Sequence, residues 1–348
     1  MYDRYFVGWV IDPPNKEQTM SCDFIALANQ GVQKLSPYQT GKPIDELKRE
    51  LGLDDIIKLA SNENPLGCSP LAIAAIQAEL KQVSLYPDGN GFNLKQAIQQ
   101  KFGFELNCIT LGNGSNDILE LVARAYIAQG ESAVYSQHAF AVYPLAVQAV
   151  GGVGIEVPAK NFGHDLEAMA AAIQTNTKVV FIANPNNPTG TWFERHEFEQ
   201  FMAQVPAHVL VVLDEAYVEY VTDAGFINGF DYVKQYANLI VSRTFSKAYG
   251  LASLRVGYAI AAADVTNILN RVRQPFNVNS FALAAATAAL QDESFVQQSR
   301  ELNSAGMAQL EQGLNSLALG FIPSKGNFIA FDTGRPCLPV FQALLQQG

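Results

Sequence analysis

Lys247 is the residue around which chemistry is most readily built. It stands in Ser242-Arg243-Thr244-Phe245-Ser246-Lys247-Ala248-Tyr249-Gly250, with Leu254-Arg255-Val256-Gly257-Tyr258 close behind. Hydroxyls, a lysine and an arginine thus converge in one short segment. A solvated surface amine is the ordinary fate of a lysine, but flanks of Ala, Tyr, Gly and Leu make that location less natural here. An amine held in a dry cleft near a cation loses its proton more easily, and then serves as nucleophile or base.

Asp214-Glu215-Ala216-Tyr217 directly follows the apolar run of residues 209–213, which reads as a buried parallel strand. A carboxylate delivered to the end of such a strand needs a cationic partner, and a protonated pyridine nitrogen would be one. A metal-binding or helix-capping role for Asp214 stays open on this string alone. In Ala183-Asn184-Pro185-Asn186-Asn187-Pro188-Thr189-Gly190, two prolines fix a loop and hold amides at a sheet edge, where an Asn can donate to an oxyanion. A plain prolyl turn is the alternative, although so long a string rarely arises by chance. Gly112-Asn113-Gly114-Ser115-Asn116-Asp117 precedes a helical run, and such a turn offers free N–H groups and a positive dipole end to a phosphate. An ordinary tight turn capped by Asn and Ser accounts for it equally well.

These strings share a placement, which points to the elements that position them. Short β-rich runs at residues 109–111, 133–135, 179–183, 209–213, 239–241 and 257–260 alternate with helical stretches. That rhythm predicts an α/β domain with a largely parallel sheet, whose ligand crevice lies outside the carboxyl ends of its strands. Helices are predicted over residues 43–51, ended by Gly52, and from Ser69-Pro70 through Gln82. An alanine-rich helical region runs from Pro275 to about Leu319, and residues 326–331 read as a strand of a second domain.

The chain has 348 residues, enough for a large domain and a smaller one with a cleft between them. A hydrophobic share of 49% with only 16% charged residues describes a globular protein. The net charge of −10 supplies no basic field for nucleic acid or an anionic membrane, which favours small-molecule chemistry. Cys22, Cys68, Cys108 and Cys337 are scattered without a C-x-x-C pair, so neither a zinc site nor a disulfide framework is expected, and no metal is assigned. No apolar run is long enough to span a bilayer, and a cytoplasmic location is expected. Residues 1–19 read as a disordered leader, with Met20 a candidate start.

The four motifs and their order resemble the fold type I pyridoxal-phosphate (PLP) aminotransferases, and more narrowly the histidinol-phosphate aminotransferase family. The resemblance runs from about Met20 to the final residue on the strings S-P-Y, A-S-N-E-N-P-L-G, L-Y-P-D-G, L-G-N-G-S-N-D, N-P-N-N-P-T-G, D-E-A-Y, R-T-F-S-K-A-Y-G-L-A-S-L-R-V-G and S-K-G-N-F. It implies a large PLP-binding domain with a mostly parallel sheet between helices, over residues 61–272, and a smaller α/β domain. The latter is formed by residues 20–60 with the N-terminal arm and by residues 273–348. The resemblance makes Lys247 the Schiff-base anchor and proton shuttle, and sets Asp214 on the pyridine nitrogen. Asn187 and Tyr217 become donors to the phenolic oxygen, and Phe140 stacks on the ring.

The same resemblance implies a phosphate cup of Ser115, Asn116, Thr244, Ser246 and Arg255. Tyr86 would reach the cofactor phosphate of a neighbouring subunit in a homodimer, while Tyr38, Asn62 and Asn187 would face the substrate. The implied reaction moves an amino group between histidinol phosphate and 2-oxoglutarate, within histidine biosynthesis. Aromatic amino-acid transamination and amino-acid-phosphate decarboxylation are the alternatives on this scaffold. Relatives continue past Gly348 into strands carrying an L-R-I-S-type arginine. Arg335 lies outside that motif, so a catalytically impaired PLP-binding form is a third expectation.

Overall fold

The computed structural model describes residues 22–37, 41–53 and 55–348. Its centre is a seven-stranded sheet of β1 (Ile109–Gly112), β2 (Ser132–Ser136), β3 (Val153–Val157), β4 (Thr177–Ala183), β5 (Leu210–Asp214), β6 (Leu239–Thr244) and β7 (Gly257–Ile260). The spatial order is β1-β7-β6-β5-β4-β2-β3. Five strands from β3 to β6 run parallel, whereas β7 is antiparallel to both β1 and β6.

Alternation along each inner strand feeds two cores. Val180 and Ile182 of β4 join Val211, Leu213 and Val241 on one face, while Val179 and Phe181 join Val212 and Ile240 on the other. All nine are fully buried, and each contributes about 1.5–3 kcal/mol relative to an exposed side chain. Helices therefore cover both faces, as a parallel sheet requires.

Six of the seven strands coincide with the β-rich runs predicted from sequence. The pattern does not reveal β3, because this edge strand carries Gly154 and Glu156 after Gly151-Gly152 and buries only Val157. Nor does rhythm show the reversal at β7. The link from β6 contains only a short 3₁₀ turn, Ala252–Leu254, instead of a crossover helix, and a link that short joins antiparallel neighbours.

The early helices form as expected. The chain leaves Ile44–Leu51 through Gly52 at φ 67°, and the Ser69 hydroxyl accepts from the Leu71 N–H to cap Pro70–Glu79, which runs on as a 3₁₀ turn, Leu80–Gln82. The alanine-rich region is two helices, Ser280–Ala289 and Glu293–Ser316, and Asp292 caps the second. Ala282, Ala285, Ala286 and Ala289 lie in the sheet's own core, so this part of residues 273–348 packs with the large domain. The strand predicted over residues 326–331 shortens to Ala330–Phe331, paired antiparallel with Phe321–Ile322. Asn327, outside the ladder, donates from Nδ2 to the carbonyl of Asn62 at 3.0 Å. Among the described residues no helix is long and apolar enough to cross a membrane, and no cluster of His, Cys, Asp or Glu is arranged to hold a metal.

Candidate active site

The carboxyl ends of β4, β5 and β6 and the loop after β1 open into one cleft of about 390 Å³. Ser115, Asn116, Phe140, Asn187, Asp214, Tyr217, Thr244, Ser246, Lys247, Arg255 and Asn62 all line it. Residues spread over nearly two hundred positions meet there because parallel strands deliver their ends to one edge of the sheet.

Lys247 lies just past β6, with its Nζ 3.1 Å from the carbonyl of Ser61 and 5.5 Å from the centre of the Tyr217 ring. Burial first, and the positive charge of Arg255 second, lower its pKa to about 8. The unprotonated amine is therefore far more populated near neutrality than that of an ordinary lysine. Desolvation beside a fixed cation is thus what makes this amine reactive.

Asp214 ends β5 and is 5% exposed. Its Oδ2 accepts a 3.0 Å hydrogen bond from the Tyr143 hydroxyl, while its buried Oδ1 has no hydrogen-bond partner. Burial pushes the carboxyl up to about 6, against the Tyr143 hydroxyl, the Ala216 backbone and the charge of Lys247, which pull it down. A buried carboxylate oxygen left open is costly unless a donor or cation meets it. Beneath it, the Arg243 Nε and Nη2 donate to Oε2 of Glu215 at 2.9 and 2.7 Å, and the Gly229 N–H donates to Oε1 at 2.6 Å. This buried pair anchors the ends of β5 and β6 side by side.

The turn after β1 forms an anion cradle. Gly114 precedes the helix Ser115–Tyr126 with no side-chain cap, so the first N–H groups of that helix remain open toward the cleft. Arg255 Nη1 donates to the Ser246 Oγ at 3.3 Å, and the Thr244 Oγ1 accepts from the Ser246 N–H at 3.1 Å. Gly114 sits at φ 84°, and a Cβ there would lie 2.5 Å from Arg255 Nη2. Only glycine lets the guanidinium fold over the helix N-terminus.

Across the cleft, Tyr217 Oη accepts from Asn62 Nδ2 at 3.0 Å and from Asn187 Nδ2 at 3.2 Å. Phe328 packs edge-on against the Tyr217 ring at 5.1 Å, which brings the S-K-G-N-F segment to the same wall. Tyr86 does not line its own chain's cleft; it is 83% exposed and stacks on Phe276 at 4.9 Å. Tyr38 lies outside the described residues, as do Met20 and residues 1–19.

Sequence reasoning missed three contributors: Tyr143, the carbonyl of Ser61 and Gly41, which also lines the cleft. Tyr143 was visible only as the residue three places after Phe140. Its contact with Asp214 depends on how the helix Val142–Ala149 docks on the sheet.

The atoms present fit pyridoxal phosphate on three counts. A neutralisable amine stands at one end, an open carboxylate oxygen suits a protonated ring nitrogen, and a glycine-shaped cradle of N–H groups, hydroxyls and a guanidinium suits a phosphate. Sheet and cleft together define an enzyme of the fold type I PLP class. Comparison with known proteins narrows that class.

The sequence profile of the family described as aminotransferase class I and II matches residues 54–348. A histidinol-phosphate aminotransferase 2 of Pseudomonas aeruginosa is 64% identical over 328 residues, which cover 94% of this chain and 89% of that protein. A protein of the same name from Pseudomonas fluorescens is 63% identical over 331 residues, or 94% and 90% of the two chains. Among solved structures, the histidinol-phosphate aminotransferase of Sinorhizobium meliloti in complex with pyridoxal-5'-phosphate superposes with a TM-score of 0.81 at 28% identity, over 88% of this chain and 82% of that one. This chain belongs to the aminotransferase class I and II family and, within it, to the histidinol-phosphate aminotransferases.

Proposed function

We propose that this protein is a histidinol-phosphate transaminase of histidine biosynthesis, exchanging the amino group of histidinol phosphate with 2-oxoglutarate. The observation that carries the reading is the convergence of Lys247, Asp214 and the Ser115–Arg255 cradle in one cleft of a chain 64% identical to a protein of that name. Bound pyridoxal phosphate supplies an electron sink that stabilises negative charge at the substrate's α-carbon.

The chain's own residues do the rest. Lys247 would hold the cofactor through its amine and would move the proton at the substrate's α-carbon; a pKa of about 8 suits it both to take and to return that proton near neutrality. Asp214 would meet the ring nitrogen with Oδ1 and favour its protonated form by charge. Asn187 and Tyr217 would donate to the phenolic oxygen, and Phe140 would cover the ring. Ser115 and Asn116, through their N–H groups, would hold the phosphate together with Thr244, Ser246 and Arg255. Asn62, tied to Tyr217 and to Asn327, lies where it can contact the substrate.

Tyr86 would serve the cofactor of a second copy in a cytoplasmic homodimer. This is supported by its exposure on a surface that also exposes Leu80, Val83 and Leu85. The PLP-binding domain would take in residues 61–272 together with the helix Ser280–Ala289 that packs into its core, with the small domain drawn from residues 20–60 and the remainder of 273–348. Tyr38 remains a substrate contact by resemblance.

The test is an absorbance spectrum of the purified, PLP-loaded chain before and after histidinol phosphate, with Lys247→Ala as control. Conversion of the bound cofactor to its amine form, only with Lys247 present, is the expected result. A cofactor band that ignores histidinol phosphate would refute the substrate, and no band at all would refute the role of Lys247.

A further inference from the structure

Asp214 has two oxygens of unequal standing. Oδ2 is engaged by Tyr143, and Oδ1 is buried and open. Tyr143 itself is fully buried, stacked on Phe181 with ring centres 5.1 Å apart and planes 12° from parallel. Phe140 meets its edge at 5.9 Å. The phenol therefore has no freedom to swing away, and its hydroxyl position is set by ring packing rather than by the carboxylate it serves.

We infer that Tyr143 is a positioning residue for the proposed reaction: its hydroxyl pins Oδ2, turns Oδ1 toward the ring nitrogen of the cofactor, and holds the carboxyl ionised there. The inference rests on the assignment of the cleft to pyridoxal phosphate. Burial raises the Tyr143 hydroxyl well above the usual phenol range, so it stays a donor at every physiological pH. The other ionisable groups bearing on Asp214 are Lys247 and Glu215, with Tyr217 bearing on Tyr143; the strand neighbours Ala183 and Ser242 do not titrate. Only Tyr143 donates a side-chain hydrogen bond to the carboxylate among the described residues.

A donor to a buried carboxylate favours its charged form. Removing that donor leaves Oδ2 unpartnered, raises the pH at which Asp214 ionises, and weakens its hold on a cationic ring nitrogen. The experiment measures the dissociation constant of pyridoxal phosphate from the apoprotein between pH 5 and 9, for the parent, Tyr143→Phe and Asp214→Asn. The cofactor phosphate titrates alike in all three, and Asp214 stays beside Lys247 in both the parent and Tyr143→Phe, so the difference between those two profiles reports on the Tyr143–Asp214 pair.

Tyr143→Phe is expected to bind about tenfold more weakly at neutral pH, with its affinity profile displaced upward by about one pH unit. A merely structural loss would lower affinity without displacing the profile. Replacing Tyr143 by 3-fluorotyrosine, a stronger acid of nearly the same size, should displace it downward. That second variant keeps the test intact if Tyr143→Phe does not fold. Unchanged profiles in the folded variants, with Asp214→Asn still weakened, would overturn the role of Tyr143 alone. If Asp214→Asn also binds like the parent, the assignment of the cleft falls instead.

Discussion

Gly114→Ala tests whether the anion cradle is built by glycine geometry. Gly114 has φ 84° and ψ 167°, a region that residues with a Cβ enter at a cost of about 1–3 kcal/mol. The added Cβ would lie 2.5 Å from Arg255 Nη2, closer than real Cβ contacts come, and 3.2 Å from its Cζ, a tight contact. Because the obstacle is the far end of a flexible side chain, the guanidinium gives way first and leaves Ser246. Losing its charge-assisted contact to a phosphate is worth about 1.5–3 kcal/mol, or roughly 10- to 150-fold in affinity. The assays are a dissociation constant for pyridoxal phosphate and a melting curve with and without it. The expected variant is folded, binds the cofactor at least tenfold more weakly, and gains less melting temperature from it than the parent does. Gly257→Ala is the harsher comparison, since its Cβ would meet the Ser115 N and Gly114 C atoms at 2.6 and 2.8 Å, and backbone cannot rotate aside. A Gly114→Ala protein with the parent's affinity and melting curve would refute the cradle.

Asp214→Asn should stabilise the apoprotein while impairing cofactor binding. Asp214 has its folded pKa raised to about 6 from 3.8, so its relative contribution to stability is intact below pH 3.8 and is lost as pH rises through about 6. Above that pH the Asn variant is expected to be more stable by on the order of 2–3 kcal/mol, an advantage that shrinks toward pH 4, read by denaturant unfolding across pH. No such crossover would show that the carboxyl is not penalised by burial. Arg243→Ala should be strongly destabilising, by about 3–5 kcal/mol, because it strands the Glu215 carboxylate without its partner; thermal unfolding of the double variant with Glu215→Gln should recover part of the loss.

Much of the reading lay in the chain itself. The apolar runs marked six strands because each is buried along its length, the antiparallel β1 and β7 as well as the inner parallel four, and the loaded residues stood just beyond strand ends that open into the cleft. Lys247, Asp214, Asn187 and the Gly112–Asp117 turn were therefore visible as local strings. What local strings cannot carry is a relation between distant segments. The edge strand β3 and the reversal of β7 depend on neighbours and connection length rather than on periodicity. The break in the alanine-rich region is marked by a local cap, Asp292 on the Phe295 N–H, whereas the Asn327–Asn62 hydrogen bond joins segments far apart in the chain. Which oxygen of Asp214 stays open was decided by the docking of Tyr143 against Phe181, and the lowered pKa of Lys247 by how deeply the fold buries it beside Arg255. Residue types and spacing determined which groups are available, through strand and turn physics that acts over a few residues. Their pairing, protonation and exposure arise from desolvation and contact across the sheet, which exist only once the chain has folded.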